Sequence, residues 1–370
     1  MCQSDTSMVA KAVLVVILVV VAAAAGGLGF VAGYEYKTSP AASPSATVNS
    51  TLSILGAGTL DTLFPQLANE LVNESGGTIT APSPAQTYEG SIDITTAITQ
   101  THALTDVAAV ADYRLIPQML EPTYASYEIV FGTTPEVLAY NASLPAFAGI
   151  NSTNWAQKLI ADVGTPGNKP MGIWNASTDP NGYNEIFAME LQGMLYNDST
   201  SAIYSHFYTT GTDGVAVGTS NTILEHESQA ANLVKTGVIS AVITYRSFAV
   251  VNDMSYVSFN PIVGLVANNS TALADYAKLS TDILTSTGGT QSVAAAPVLF
   301  SITVPLNAPN PALGAAFIHL LLSPQGSAIL SEGGAFTPIF PGWSNTPGAV
   351  PSVLAPDVTS LPTWAATILG

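Results

Sequence analysis

Three turns in this sequence stand directly ahead of amphipathic stretches: Gly56-Ala57-Gly58-Thr59, Gly90-Ser91 and Asp179-Pro180-Asn181-Gly182. A turn that delivers the chain into a helix start aims unpaired backbone N–H groups, and the positive end of the helix dipole, at one point. Such a point binds anions. Thr59 and Ser91 would add hydroxyl donors there, although both are also ordinary helix caps. Asp-Pro-Asn-Gly is equally a favourable β-turn. The residue types that carry catalysis are not arranged for it. No Walker loop and no G-x-S-x-G elbow occurs, and G-A-G-T-L-D lacks the third glycine of a dinucleotide fingerprint. The histidines, at positions 102, 206, 226 and 319, are dispersed, and Glu225-His226-Glu227 has no H-x-x-x-H partner. Neither an enzyme nor a resident cofactor is expected.

Turns of this kind need rigid elements around them. Residues 52–55 read as a short buried strand. Beyond the first turn, Leu60, Leu63, Phe64, Leu67, Ala68 and Leu71 fall at helical spacing, with Pro65 tolerated in or near the first turn. D-V-A-A-V-A-D (residues 106–112) reads as a continuous buried strand of a parallel sheet. Residues 127–140 read as two extended segments joined at Gly132, a crossing between lobes, and residues 296–306 as the return crossing. M-G-I-W precedes the aspartate turn, and the helix after it carries Tyr183, Ile186, Phe187, Leu191, Met194 and Leu195 on one face. Residues 236–247 read as a further strand, and Leu313, Ala316, Phe317, Leu320 and Leu321 mark a helix over residues 311–322. Short apolar runs alternating with amphipathic stretches are the pattern of an α/β fold.

The surface is unusual in its charge. Eight Lys and Arg face 25 Asp and Glu for a formal net charge of −17, and only 9% of residues are charged. That balance excludes nucleic acid and anionic lipid surfaces as electrostatic partners. The one cysteine, Cys2, excludes disulfides within the chain. N-x-S/T sequons at Asn49, Asn73, Asn141, Asn151, Asn175, Asn197, Asn268 and Asn269 suit a glycosylated, extracytoplasmic protein. Lys11 is followed by an uncharged apolar run over residues 12–34, long enough for a membrane anchor and similar to a secretion signal. Residues 36–51 have the composition of a tether, and residues 346–370 that of an extended tail.

Five segments then follow one another in a telling order: A-D-Y-R-L-I-P-Q-M-L-E-P-T-Y-A (residues 111–125), S-T-N-W (152–155), D-P-N-G-Y (179–183), I-T-V-P-L-N-A-P (302–309) and L-L-S-P-Q-G-S-A-I-L (321–330). The series resembles the archaeal tungstate/molybdate-binding proteins of ABC importers. The resemblance implies an α/β fold of two lobes, the class II periplasmic-binding-protein type, closing over a tetrahedral oxyanion. Residues 52–131 and 300–345 would form one lobe and 132–299 the other, behind an N-terminal apolar helix within residues 1–35. It also implies two partners, a small oxyanion and an ABC permease, with the apolar helix holding the protein at the membrane. Carried over residue by residue, the family's A-G-S-L serine falls on Thr59, which keeps the hydroxyl, and its second G-S serine on Ser91. The D-P-x-G-Y aspartate is Asp179, the family's Lys-Glu-Thr glutamate aligns with Glu227 (here in H-E-S), and the tyrosine of its Y-x-S strand end is Tyr245.

Two acids beside a dianion repel it unless they bind its central atom instead of its oxygens. Mo(VI) and W(VI) are hard and exceed four ligands, and carboxylate oxygen is a hard donor. The resemblance implies that Asp179 and Glu227 expand the coordination of molybdate or tungstate, which the sulfur of sulfate does not allow. The periphery would be held by Thr59, Ser91, Tyr245 and the N–H groups after Gly58, after Gly90 and around Pro180 and Asn181. Two alternatives stay open at this level: another oxyanion, phosphate or sulfate, held by protonated acids, and a surface or filament-forming module with a vestigial cleft.

Overall fold

The computed structural model describes residues 50–76, 79–80, 86–163, 169–196, 208–211, 214–217, 221–224, 227–285 and 289–369. The expected N-terminal helix, most of the tether, Cys2 and the sequons at Asn49 and Asn197 lie outside them.

The chain enters the first lobe through β1 (Ile54–Ala57), a 3-10 turn (Gly58–Leu60) and α1 (Leu63–Glu74), then runs through β2 (Gln86–Glu89), α2 (Ser91–Gln100), β3 (Val107–Val110) and β4 (Ile129–Thr133). β1 pairs in parallel with β2 and with β3, Ile54 standing opposite Gln86 and Val107. The chain crosses at Thr134 and Pro135 into β5 (Glu136–Tyr140), α3 (Trp155–Val163), β6 (Met171–Trp174), α4 (Pro180–Tyr196), β7 (Asn221–Leu224), α5 (Glu227–Lys235), β8 (Ala241–Tyr245), α6 (Arg246–Val251) and β9 (Ser255–Ser258). Helix α7 (Ser270–Tyr276) and the hairpin β10 (Ser280–Leu284) with β11 (Thr290–Ala294) complete this lobe. The return strand β12 (Phe300–Thr303) leads to α8 (Pro311–Leu321), α9 (Pro324–Leu330), β13 (Thr337–Ser344), β14 (Val358–Ser360) and α10 (Thr363–Leu369).

The two main sheets repeat one plan. The first has the order β14-β13-β4-β12-β3-β1-β2 and the second β7-β6-β8-β5-β9. In each, the strand that has just crossed between lobes, β12 or β5, is inserted antiparallel between the third and fourth strands of its lobe. The parallel strands β3, β6 and β8 are buried along their whole length, as strands covered on both faces must be. In the first lobe α1 and α8 pack over the sheet, with Phe64 at 5.2 Å from Phe317 and 6.0 Å from Phe131 between ring centroids.

Three expectations change. Gly132 lies inside β4, and the crossing follows it at Thr134 and Pro135, because β13 pairs across Gly132 and extends the strand. The helix expected straight after Thr59 is interrupted: a 3-10 turn comes first, and α1 starts at Leu63 with Pro65 in its first turn. The expected extended tail is structured. β14 adds in parallel to β13, and α10 packs beneath it, with Trp364 edge-on to Trp343 and the Tyr113 hydroxyl donating to the Ala365 carbonyl at 3.0 Å. Leu361, Trp364, Ala365 and Ile368 have helical spacing, which the surrounding Pro and Ser content masks.

Candidate functional site

In sheets of this kind ligands bind beyond the carboxyl ends of the parallel strands. The sequence-expected residues sit there. β1 ends into Gly58 and Thr59, β2 into Gly90 and Ser91, β6 into the turn before Asp179 and Pro180, β7 ahead of Glu227, and β8 at Tyr245. Thr59, Ser91, Asn181 and Tyr245 are fully buried and Asp179 nearly so.

The two lobes touch through these ends. The Thr59 hydroxyl lies 3.0 Å from that of Ser247, in the first turn of α6. The Ile92 N–H donates to the Thr178 carbonyl at 3.0 Å, which brings the start of α2 against the turn before Asp179. A side chain at Gly90 would stand 2.3 Å from that carbonyl, so this approach requires glycine. The Ser91 hydroxyl oxygen accepts the Ala111 N–H at 2.9 Å, which leaves its own proton to donate. Helix α5 lies against the Gly58–Leu60 turn and begins at Glu227, whose side chain lies outside the described residues.

Asp179 caps α4: its Oδ1 accepts the Asn181 N–H at 2.8 Å. Gly182 is needed one turn on, since a Cβ there would meet the Ala176 backbone at 2.4 Å. Burial pushes the Asp179 carboxyl well above the usual carboxylate range, with the charge of Asp93 adding to it and the Asn181 N–H opposing.

Sequence reasoning missed the support behind this site. Glu136 is fully buried at the start of β5, in register with Tyr245 on β8. Burial, then the nearby charge of Asp179, raises its carboxyl far above its ordinary value. The Asn181 amide, oriented to satisfy its neighbours, donates to Glu136 Oε2 at 3.2 Å and accepts from the Thr244 hydroxyl at 3.1 Å. Asn184 donates to the Tyr245 hydroxyl at 3.1 Å and also hydrogen-bonds Glu136. One signal was legible: an acid opening the apolar run E-V-L-A-Y is costly to bury and needs a reason. Ser247 carried none beyond standing two residues after Tyr245.

A cavity of about 240 Å³ lies between the lobes on another flank of α4, lined by Asp112, Arg114 and Tyr183 together with Ile92, Met119 and Val293. None of the sequence-expected site residues lines it.

A family model described as bacterial extracellular solute-binding protein matches residues 52–335. The chain belongs to that family. Among curated solute-binding proteins it is 27% identical over 299 residues to the molybdate/tungstate-binding protein WtpA of Pyrococcus abyssi, covering 76% of this chain and 83% of that one. It is 26% identical over 316 residues to WtpA of Thermococcus kodakarensis, covering 82% and 86%. An uncharacterized solute-binding protein of Methanoculleus marisnigri is 27% identical over 319 residues, covering 82% and 86%. Among solved structures, the periplasmic molybdate-binding protein of Azotobacter vinelandii superposes with a TM-score of 0.51 at 12% identity, covering 76% of this chain and 97% of that one. The sulfate-binding protein SubI of Mycobacterium tuberculosis gives 0.52 at 10% identity, covering 83% and 90%. The fold is that of class II periplasmic binding proteins, and the family is one of extracellular solute-binding proteins.

Proposed function

We propose that this solute-binding protein captures molybdate or tungstate outside the cytoplasm and delivers it to an ABC permease, held near the membrane by its N-terminal apolar segment. The observation that carries this reading is a buried acid, Asp179, capping a long helix directly after the turn that meets the start of α2 in the other lobe. The relatives whose names include molybdate and tungstate support the choice of ligand. The donors are of the right kind. Thr59, Ser91 and Tyr245 present hydroxyls, and α2 and α4 present N-termini, so the oxyanion would be held without a lysine or arginine. Asp179 and Glu227 would ligate the metal centre, and Glu136 with Asn181 and Asn184 would fix Asp179 and Tyr245 in place. The ion is cargo, and no cofactor takes part.

Calorimetry with tungstate, molybdate and sulfate tests this. Tungstate and molybdate are expected to bind at least a hundredfold more tightly than sulfate, and equal affinities would defeat the reading. The raised Asp179 carboxyl favours one rival, in which a protonated acid donates a hydrogen bond to phosphate or sulfate. In that case affinity falls as pH rises through the Asp179 titration, whereas metal ligation needs the carboxylate and does not weaken.

A further inference from the structure

Beyond the Ala111 N–H that donates to Ser91, the A-D-Y-R segment after β3 holds a buried ion pair of the first lobe. Arg114 grips Asp112 with two prongs, Nε to Oδ1 at 2.9 Å and Nη2 to Oδ2 at 2.6 Å. Asp112 Oδ1 also accepts the Arg114 N–H at 2.9 Å, and one further bond of each group reaches the other lobe. The Tyr183 hydroxyl, on α4, donates to Asp112 Oδ2 at 2.6 Å, and Arg114 Nη1 donates to the Ala294 carbonyl at 2.8 Å, on β11. We propose that Asp112, Arg114 and Tyr183 form a clasp between the lobes that holds the closed form shut and sets how slowly the ligand leaves.

The physics falls on one state only. A buried ion pair is stable when its leftover polar atoms are satisfied, and it is expensive when one partner is removed. With the lobes apart, Asp112 and Arg114 lose Tyr183 and Ala294 and face water, which replaces them. With the lobes together, both acid and base are more than nine-tenths buried, and only the second lobe supplies the missing donor and acceptor. Burial works to raise the Asp112 carboxyl, but the Arg114 guanidinium and the bonds from Arg114 and Tyr183 outweigh it and keep the group ionised. Tyr183 lies one turn after Asp179, and its neighbour Asn184 reaches Tyr245. The clasp and the ligand therefore act on the same turns of α4. The inference rests on the solute-binding reading and adds to it residues that touch no ligand.

The test is stopped-flow release of whichever of tungstate, molybdate, sulfate or phosphate the full chain binds most tightly. Tyr183→Phe removes one oxygen and keeps the ring. It is expected to raise the dissociation rate about tenfold or more, as loss of a hydrogen bond to a charged group should. The preference among the four anions and the thermal midpoint of the ligand-free protein should not move. In a cycle with Asp112→Asn, the two changes should be non-additive for release, because they cut the same bond. An unchanged release rate, or a fall in the ligand-free midpoint that accounts for the faster release, overturns the clasp alone. A wild-type protein that binds none of the four anions overturns the oxyanion reading and the clasp with it.

Discussion

Asp179 caps α4 and, in the proposed reading, also supplies an acid to the centre of the bound ion. Asp179→Asn keeps a capping oxygen but removes the charge. We expect tungstate affinity to fall by about tenfold to a hundredfold while sulfate affinity stays or improves, read by calorimetry. Glu128 tests a different consequence of burial. It stands just before β4, and burial, then the charges of Glu121 and Asp112, push its carboxyl up to about 9. The folded protein then binds a proton that the unfolded chain releases near pH 4.5, so this group's stability contribution is full below that value and is lost as pH rises towards 9. Glu128→Gln should flatten the decline, stabilising the protein at pH 8 by on the order of 1–2 kcal/mol in denaturant unfolding and changing little at pH 4. The residue scale is also where the sequence was least sufficient. Thr59, Ser91, Asp179 and Tyr245 were singled out through their ordered match to a family, Glu136 offered only the cost of burying an acid, and Asn184 and Ser247 emerge when distant elements are brought together.

Elements were more legible than partners. The apolar spacing in α1 placed Leu63, Phe64, Leu67, Ala68 and Leu71 inward, as they are, whereas α8 also buries Gly314, Ala315 and Ile318 because α1 and α9 cover it beyond the expected face. Helix α4 is different: residues 180–189 are buried on all sides because α4 is enclosed by its own sheet, the β10–β11 hairpin and the first lobe. A one-face pattern understates such a helix. The tail was misjudged because composition hides a short periodic stretch, and pairing of β14 with β13 is a long-range event. Removing residues 361–370 should uncover Tyr113 and Val130 and lower the thermal midpoint by several degrees. Gly90 makes the sharper test. A methyl group there meets the Thr178 carbonyl at 2.3 Å, a contact that exists only between closed lobes. Gly90→Ala is expected to leave the ligand-free midpoint within about a degree, abolish tight binding and keep the scattering radius of the open form when ligand is added.

At the scale of the whole molecule, the proposed function asks a chain of net charge −17 to take up a dianion. Its long-range field opposes approach, and the short-range donors at the strand ends must overcome it. The association rate should therefore rise with ionic strength between roughly 0.01 M and 0.15 M, the range over which screening shortens from about 30 Å to about 8 Å. A rate that falls with salt would point to attraction by cations that the reading does not use. The family and the two-lobe plan follow from the order of segments and strands, but the chemistry depends on one claim, that carboxylates reach the centre of the ion. X-ray absorption at the tungsten edge of the tungstate-loaded protein tests it most directly. The expected spectrum is that of a centre with more than four oxygens, two of them from Asp179 and Glu227, and with one fewer in Asp179→Asn. A tetrahedral, four-oxygen tungstate in the wild-type protein would contradict the account.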